Sequence, residues 1–242
     1  PYLQRTVEAG DVLEVKKYYS ARWGKRSSRG ANIGHTPEEM ARINERRAEE
    51  RLRWLLNANF RGGDLHLTLT YDSLYPAPAP ERARHELEGF LRSARQLYRK
   101  HEKEMKYITV TEYLAKRIHH HVILNRIDAA ELWLIWERAE GHGAMRTRYL
   151  DKSGQYAELA AYLIKETRRS FREPDAPYRR RWCASRNLVQ PKIERKVVPR
   201  DRWRDTPPAR KGWRLDETRL IKGVDEYSGA PYQEYTLMRL RE

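Results

Sequence analysis

The elements read from the sequence run β-α-β-β-α-β and then a further helix, which predicts an α+β fold. The expected architecture is a ferredoxin-like or RRM-like antiparallel sheet of about five strands with helices packed on one face, followed by a basic C-terminal extension. Three observations carry this. Asp64 to Tyr71 (DLHLTLTY) alternates strictly, with Leu65, Leu67 and Leu69 on one side and His66, Thr68 and Thr70 on the other. Lys106 to Tyr113 (KYITVTEY) and Ile118 to Asn125 (IHHHVILN) form two strand-like runs joined near Leu114 to Arg117, the layout of a hairpin. Helical apolar stripes separate these strands from their neighbours.

Taken in order, Asp11 to Trp23 is rich in Val and Tyr and reads as a strand, a candidate fifth one, leading into the basic loop GKRSSRG. Thr36-Pro37-Glu38-Glu39 is a capping box with proline at the first helical position. Met40, Ile43, Leu52 and Leu55-Leu56 then supply a stripe to about Ala58. After the strand at 64–71 and a proline-rich turn, a helix is expected from Glu81 to His101, with Leu87, Phe90, Leu91, Ala94 and Leu97 inward. Asp128 caps a helix through Trp133 and Trp136; Ala144 to Leu150 reads as a strand and Tyr156 to Phe171 as a helix.

The 49 Lys and Arg against 34 Asp and Glu leave a net charge of +15, which suits a polyanionic partner, nucleic acid foremost. From Arg168 to Arg200 there are 11 basic residues against three acids, so over half of the excess lies in one segment. That segment reads as a contact surface, with Arg168, Arg169, Arg179, Arg180, Arg181 and Arg186 as candidate DNA contacts. Trp182, Trp203 and Trp213 are interleaved with these cations, as in surfaces that stack unpaired bases; burial into the domain is the competing reading for each ring. No apolar run is long enough to span a bilayer, the first residues lack a signal-peptide layout, and the single Cys183 offers neither a disulfide nor a zinc cluster. No membrane partner and an intracellular location are expected.

His119-His120-His121 is the sharpest chemical feature. Residues two apart on a strand share a face, so His119 and His121 project together and His120 points to the opposite side. If the hairpin centres between Ala115 and Lys116, Glu112 lies directly opposite His119 on that face. Two imidazoles and a carboxylate suit Mn²⁺ or Mg²⁺. His66 competes with Glu112 for the third ligand position if its strand is adjacent, although packing or substrate positioning is the favoured role. A histidine-rich strand without metal is the plain alternative. The second feature is Tyr162 with Lys165 three residues on, neighbours on one helix face. A phenol of pKa near 10 needs a positive field to act as a nucleophile at neutral pH; an ordinary packed tyrosine is the alternative.

Three motifs, LHLTLTY (Leu65 to Tyr71), RIHHHVIL (Arg117 to Leu124) and AAYLIKE (Ala160 to Glu166), occur in this order over about 100 residues. Together they resemble the HUH (His-hydrophobic-His) endonucleases, specifically rolling-circle replication initiators (Rep proteins) of the plasmid and filamentous-phage gene II type. His120 departs from the pattern by standing where a hydrophobic residue is named, which a partly wet core would tolerate. The resemblance implies a domain over 1–172 and an extension over 173–242. It implies that His119 and His121, with Glu112 or another third ligand, hold a divalent metal, that Tyr162 is the nucleophile and that Lys165 is its electrostatic helper. The implied activity is nicking and rejoining of single-stranded DNA, at an origin hairpin or nick site, through a 5′-phosphotyrosine that leaves a 3′-hydroxyl for polymerase.

The expected setting is the cytoplasm of a bacterial host. No Gly-Lys-Ser/Thr phosphate loop is present, so unwinding is expected from a host helicase. Relaxases and single-strand transposases share the chemistry, but relaxases usually place the tyrosine before the histidines. A non-catalytic RRM-like binding module is the reading from another class.

Overall fold

A computed structural model describes residues 1–21, 23–24, 36–113, 117–168, 180–199, 203–226 and 228–240. Its elements are β1 (Tyr2–Ala9), β2 (Val12–Tyr19), α1 (Pro37–Asn59), β3 (Leu65–Tyr71), α2 (Pro80–Lys100), β4 (Tyr107–Glu112), β5 (His119–Leu124), α3 (Ala129–Glu137), β6 (His142–Tyr149), α4 (Ala157–Glu166), β7 (Cys183–Ala184), β8 (Lys192–Val198), β9 (Trp213–Val224) and β10 (Pro231–Arg239). They form two compact units, one of Pro1–Arg46 with Val189–Glu242 and one of Arg47–Leu188. A composition-based division at residue 172 differs from both boundaries. Residues 183–184 pair with β4, and the first strands of the chain pair with the last ones.

The Arg47–Leu188 unit holds a five-stranded antiparallel sheet in the order β6-β3-β5-β4-β7. This is the expected α+β sheet. Helices cover both of its faces, however, not one. Leu65, Leu67, Leu69, Val122 and Leu124 face the stripe Ala83, Leu87, Phe90, Leu91, Ala94 and Tyr98 of α2, together with Leu132 and Trp136 of α3. On the other face Ile108, Val110 and Ile123 meet Leu52, Leu55 and Leu56 of α1 and Ala160, Leu163 and Ile164 of α4. The alternation of β3, β4 and β5 thus buries apolar residues on both sides, as a strand covered twice must.

Local signals set the helix starts as expected. Thr36 Oγ1 accepts from Glu39 N at 3.2 Å while Glu39 Oε2 accepts from Thr36 N at 2.9 Å, the reciprocal capping box. Asp128 Oδ1 accepts from Ala130 N at 3.0 Å at the head of α3. Along α2 the pairs Arg82–Glu86 and Arg84–Glu88 bridge i,i+4 at 2.8 and 2.9 Å.

The other unit is also a five-stranded antiparallel sheet, β8-β1-β2-β10-β9. The segment near residue 15, read from the sequence as a fifth strand of the first sheet, belongs here as β2, between β1 and β10. The fifth strand of the first sheet is instead the two-residue β7. The basic loop at 25–30, the hairpin turn at 114–116 and the proposed helix end at Phe171 lie outside the described residues.

Candidate metal and nucleophile site

The register of β4 with β5 places Glu112 opposite His119 and Thr111 opposite His120, and β3 with β5 places Thr68 opposite His121. His119, His121, Glu112, His66 and Thr68 therefore share one face of the sheet, the face crossed by α4. Glu112 Oε2 lies 3.2 Å from His119 Nε2. The His119 and His121 rings stand 5.1 Å apart, edge to face. His119, His121 and Glu166 offer one ligand atom each, all within 4.8 Å of one another, so this group could hold a metal ion.

Each imidazole is oriented by its surroundings. His121 Nδ1 lies 3.1 Å from His66 Nε2 and 3.4 Å from Thr68 Oγ1. Its Nε2 is buried and has no hydrogen-bond partner. An unsatisfied buried nitrogen normally costs about 1–3 kcal/mol. Beside a second histidine and carboxylates, it has the chemistry of a metal ligand whose other nitrogen is held by a supporting partner. Burial, then the His66, His119 and His120 rings, lowers the His121 pKa to about 3, so the ring is neutral at physiological pH, the form that binds a cation. Burial and the Arg148 guanidinium bring His66 down to about 4. His66 thus sits behind His121 as its orienting neighbour.

Tyr162 comes from α4, where Leu163 and Ile164 are buried and anchor the helix while the phenol remains 44% exposed. Its ring meets His121 edge to face at 5.4 Å. Burial, then the Glu166 and Glu112 carboxylates, raises the phenol pKa, and Arg148 opposes them. Without a cation the pocket therefore disfavours phenolate. Tyr156, six residues earlier, is buried at the head of α4 and donates its hydroxyl to Asp151 O at 3.1 Å.

Sequence reasoning missed Glu166. It stands four residues after Tyr162 on the same helix face, so the i,i+4 spacing within AAYLIKE was the available signal. Lys165 is exposed on α4, and the side chain that α4 brings to the histidines is Glu166.

His120 points away from this group, as the alternation requires, into a core that is dry, not partly wet. It is fully buried, with Nε2 2.9 Å from Tyr71 Oη and Nδ1 2.8 Å from Thr111 Oγ1. Two hydroxyls satisfy both ring nitrogens, which lets histidine occupy a hydrophobic position. Burial, then His119 and His142, depresses its pKa to about 3. Between pH 6.5 and about 3 the unfolded chain takes up a proton that the folded ring refuses, so stability falls as pH falls through this window. The slope is about 1.4 kcal/mol per pH unit for such a group. Urea unfolding between about pH 7.5 and 4.5 should show this decline. A midpoint that stays flat from about pH 7 to 5 would contradict a neutral buried His120.

Of the arginines read as DNA contacts, Arg168, Arg180 and Arg186 are exposed. Arg181 is half-buried and donates from Nη1 to Thr167 Oγ1 at 3.1 Å, at the end of α4. Arg169 and Arg179 lie outside the described residues. Arg186 joins Arg95, Arg99 and Lys103 around an open groove of about 730 Å³. The α2 cations there were not singled out from the sequence, although Arg92, Arg95 and Arg99 follow helical spacing. Trp182 packs against the α1–α4 core. Trp213 packs beside Leu13, Val15, Tyr235 and Leu237, with Arg210 and Arg239 over its ring.

Residues 64–167 match a family model for replication-associated proteins, the family of the ORF2 and phage gene II proteins. This span runs from the start of β3 to the end of α4 and includes every residue of the metal and tyrosine group. The match supports a replication initiator of the Rep type, and with it a role in DNA replication and DNA binding. No curated protein and no solved structure matches the chain. Among the described residues no helix is long and apolar enough to cross a membrane.

Proposed function

We propose that the chain is a metal-dependent single-stranded DNA endonuclease and strand-transferase that initiates rolling-circle replication through Tyr162. The observation that carries this reading is the orphaned, buried Nε2 of His121, which sits with His119 and Glu166 and meets the ring of Tyr162. A non-catalytic RRM-like module accounts for the basic charge but gives no reason to bury an unsatisfied imidazole nitrogen beside a tyrosine.

His119 and His121 are the proposed nitrogen ligands, with Glu166 or Glu112 as the carboxylate. A Mn²⁺ or Mg²⁺ ion bound there would polarise the scissile phosphate and offset the charge that these carboxylates impose on the phenol. His66 holds the His121 ring in place, and Arg148 adds positive potential on the same side. Tyr162 Oη attacks the phosphorus, the bond to the 3′ oxygen breaks, and the 5′ phosphate stays on the tyrosine. The released 3′-hydroxyl can prime a polymerase or attack the phosphotyrosine to rejoin the strand. Lys165, at the solvent edge of α4, helps to offset phosphate charge. The partners that follow are an origin hairpin or nick site, a host helicase and a polymerase in a bacterial cytoplasm.

The test is incubation with Mn²⁺ and a pool of labelled single strands from candidate origins, followed by denaturing electrophoresis and peptide mapping. A covalent adduct on Tyr162 that a chelator prevents is expected. Binding without any cleavage or adduct would favour the RRM-like module.

Arg180 and Arg186 are proposed to bind phosphates. Replacing both with Gln should reduce the salt slope of single-strand binding by roughly 0.7 for each phosphate no longer neutralised. Affinities measured from about 50 to 300 mM NaCl would show it, and an unaltered slope would remove both from the interface.

A further inference from the structure

The sheet formed by the two ends of the chain, outside the span matched by the family, carries a cluster that the endonuclease reading does not use. Tyr2 pairs with Tyr19, and two residues along β1, Gln4 pairs with Lys17 on one side and Lys196 on the other. Opposed residues of an antiparallel sheet share a face, so these side chains lie together. The Tyr2 ring stands 5.5 Å from Tyr19 and 5.8 Å from Trp203. Lys17 Nζ lies 5.7 Å from the centre of the Trp203 ring and 5.6 Å from that of Tyr235. Tyr19 is 41% exposed and Lys196 is exposed, so the cluster opens to solvent.

The electrostatics of this cluster are unbalanced. Lys17 Nζ has Gln233 Oε1 as its polar neighbour at 3.3 Å, and among the described ion pairs none involves Lys17 or Lys196. The carboxylate nearest in register, Glu194, is paired with Lys192 at 2.9 Å. Burial, and then the charge of Lys196, lowers the Lys17 pKa. Two ammonium groups on the strands either side of Gln4, roughly 10 Å across the sheet, thus repel each other beside a group of aromatic rings. Apolar burial alone would not select this pattern. An anionic ligand with flat apolar faces would satisfy it.

We infer that the face formed by Tyr2, Tyr19, Trp203, Lys17 and Lys196 is a second binding site for single-stranded DNA, separate from the tyrosine group. Unpaired bases would stack on the rings and adjacent phosphates would neutralise the two lysines. A duplex, whose bases are already stacked, offers only phosphates to this face and should bind it less well. Binding here does not require cleavage by Tyr162.

The test uses the full chain in a chelator, so that no nicking occurs, with a fluorescein-labelled thymidine strand of about 12 nucleotides. Tyr19→Ser and Lys196→Gln, both at exposed positions, should each weaken binding measured by anisotropy, Tyr19→Ser by about tenfold. Lys17→Gln with Lys196→Gln should also flatten the salt slope by about 1.4, from two phosphates at about 0.7 each. Photo-crosslinking of a bromodeoxyuridine strand to the unsubstituted protein needs no variant, and peptides bearing Tyr2, Tyr19 or Trp203 should carry the label. Wild-type affinity and slope in folded variants would overturn the inference. Crosslinks confined to residues 47–188, or equal affinity for a duplex of the same length, would do so too.

Discussion

Tyr162→Phe is expected to bind an origin strand nearly as well as the parent and to form no covalent adduct. The substitution removes only the attacking oxygen. The ring still meets His121, and Leu163 and Ile164 still anchor α4, so the fold should persist. The expected effect is complete loss of adduct within detection, because no other group supplies the 5′-phosphotyrosine. Tyr156→Phe should retain adduct formation: that ring is buried and its hydroxyl is engaged with Asp151 O. Lys165→Ala should nick more slowly but still form the adduct. An adduct on the Tyr162 variant, or its loss only in the Tyr156 variant, would move the nucleophile elsewhere.

Replacing both His119 and His121 with Ala should lower metal-dependent nicking by at least about a thousandfold. A Lewis acid on the phosphate contributes several kcal/mol, and each 1.36 kcal/mol is about a factor of ten in rate. DNA binding should survive, since the proposed phosphate and stacking contacts lie elsewhere. Metal titration followed by calorimetry gives a second readout independent of cleavage, and the double variant should show no site. Glu112→Gln and Glu166→Gln, measured in the same way, would separate the two carboxylates. The true ligand should lose the larger share of affinity, while the other carboxylate should alter mainly its histidine or tyrosine neighbour. Undiminished nicking by the double-histidine variant would defeat the metal assignment.

Much of this site is written in local sequence because its parts lie on regular elements. Strand alternation puts His119 and His121 on one face and His120 on the other, and a hairpin centred between Ala115 and Lys116 makes Glu112 the partner of His119. Helix caps at Thr36 and Asp128 and the stripe of α2 follow from spacing in the same way. These are interactions within a few residues or within one hairpin, where period and turn position leave little freedom.

What the sequence could not decide is which distant segments meet. The N-terminal hairpin of β1 and β2 pairs with β8 and β10, near the other end of the chain, and an alternating strand carries no mark of its partner's identity. The same limit hid the second helical layer over the metal face, because β3, β4 and β5 look alike whether one face is covered or two. It also hid Glu166, which becomes a candidate ligand only when α4 crosses β5 and brings its carboxylate within 4.8 Å of two imidazoles. His66 was legible as a strand residue, but its place behind His121 depends on β3 lying next to β5. Residue type and period set the available chemistry. Which of those groups share a site was decided by the long-range packing of sheets and helices, whose energy depends on the whole core.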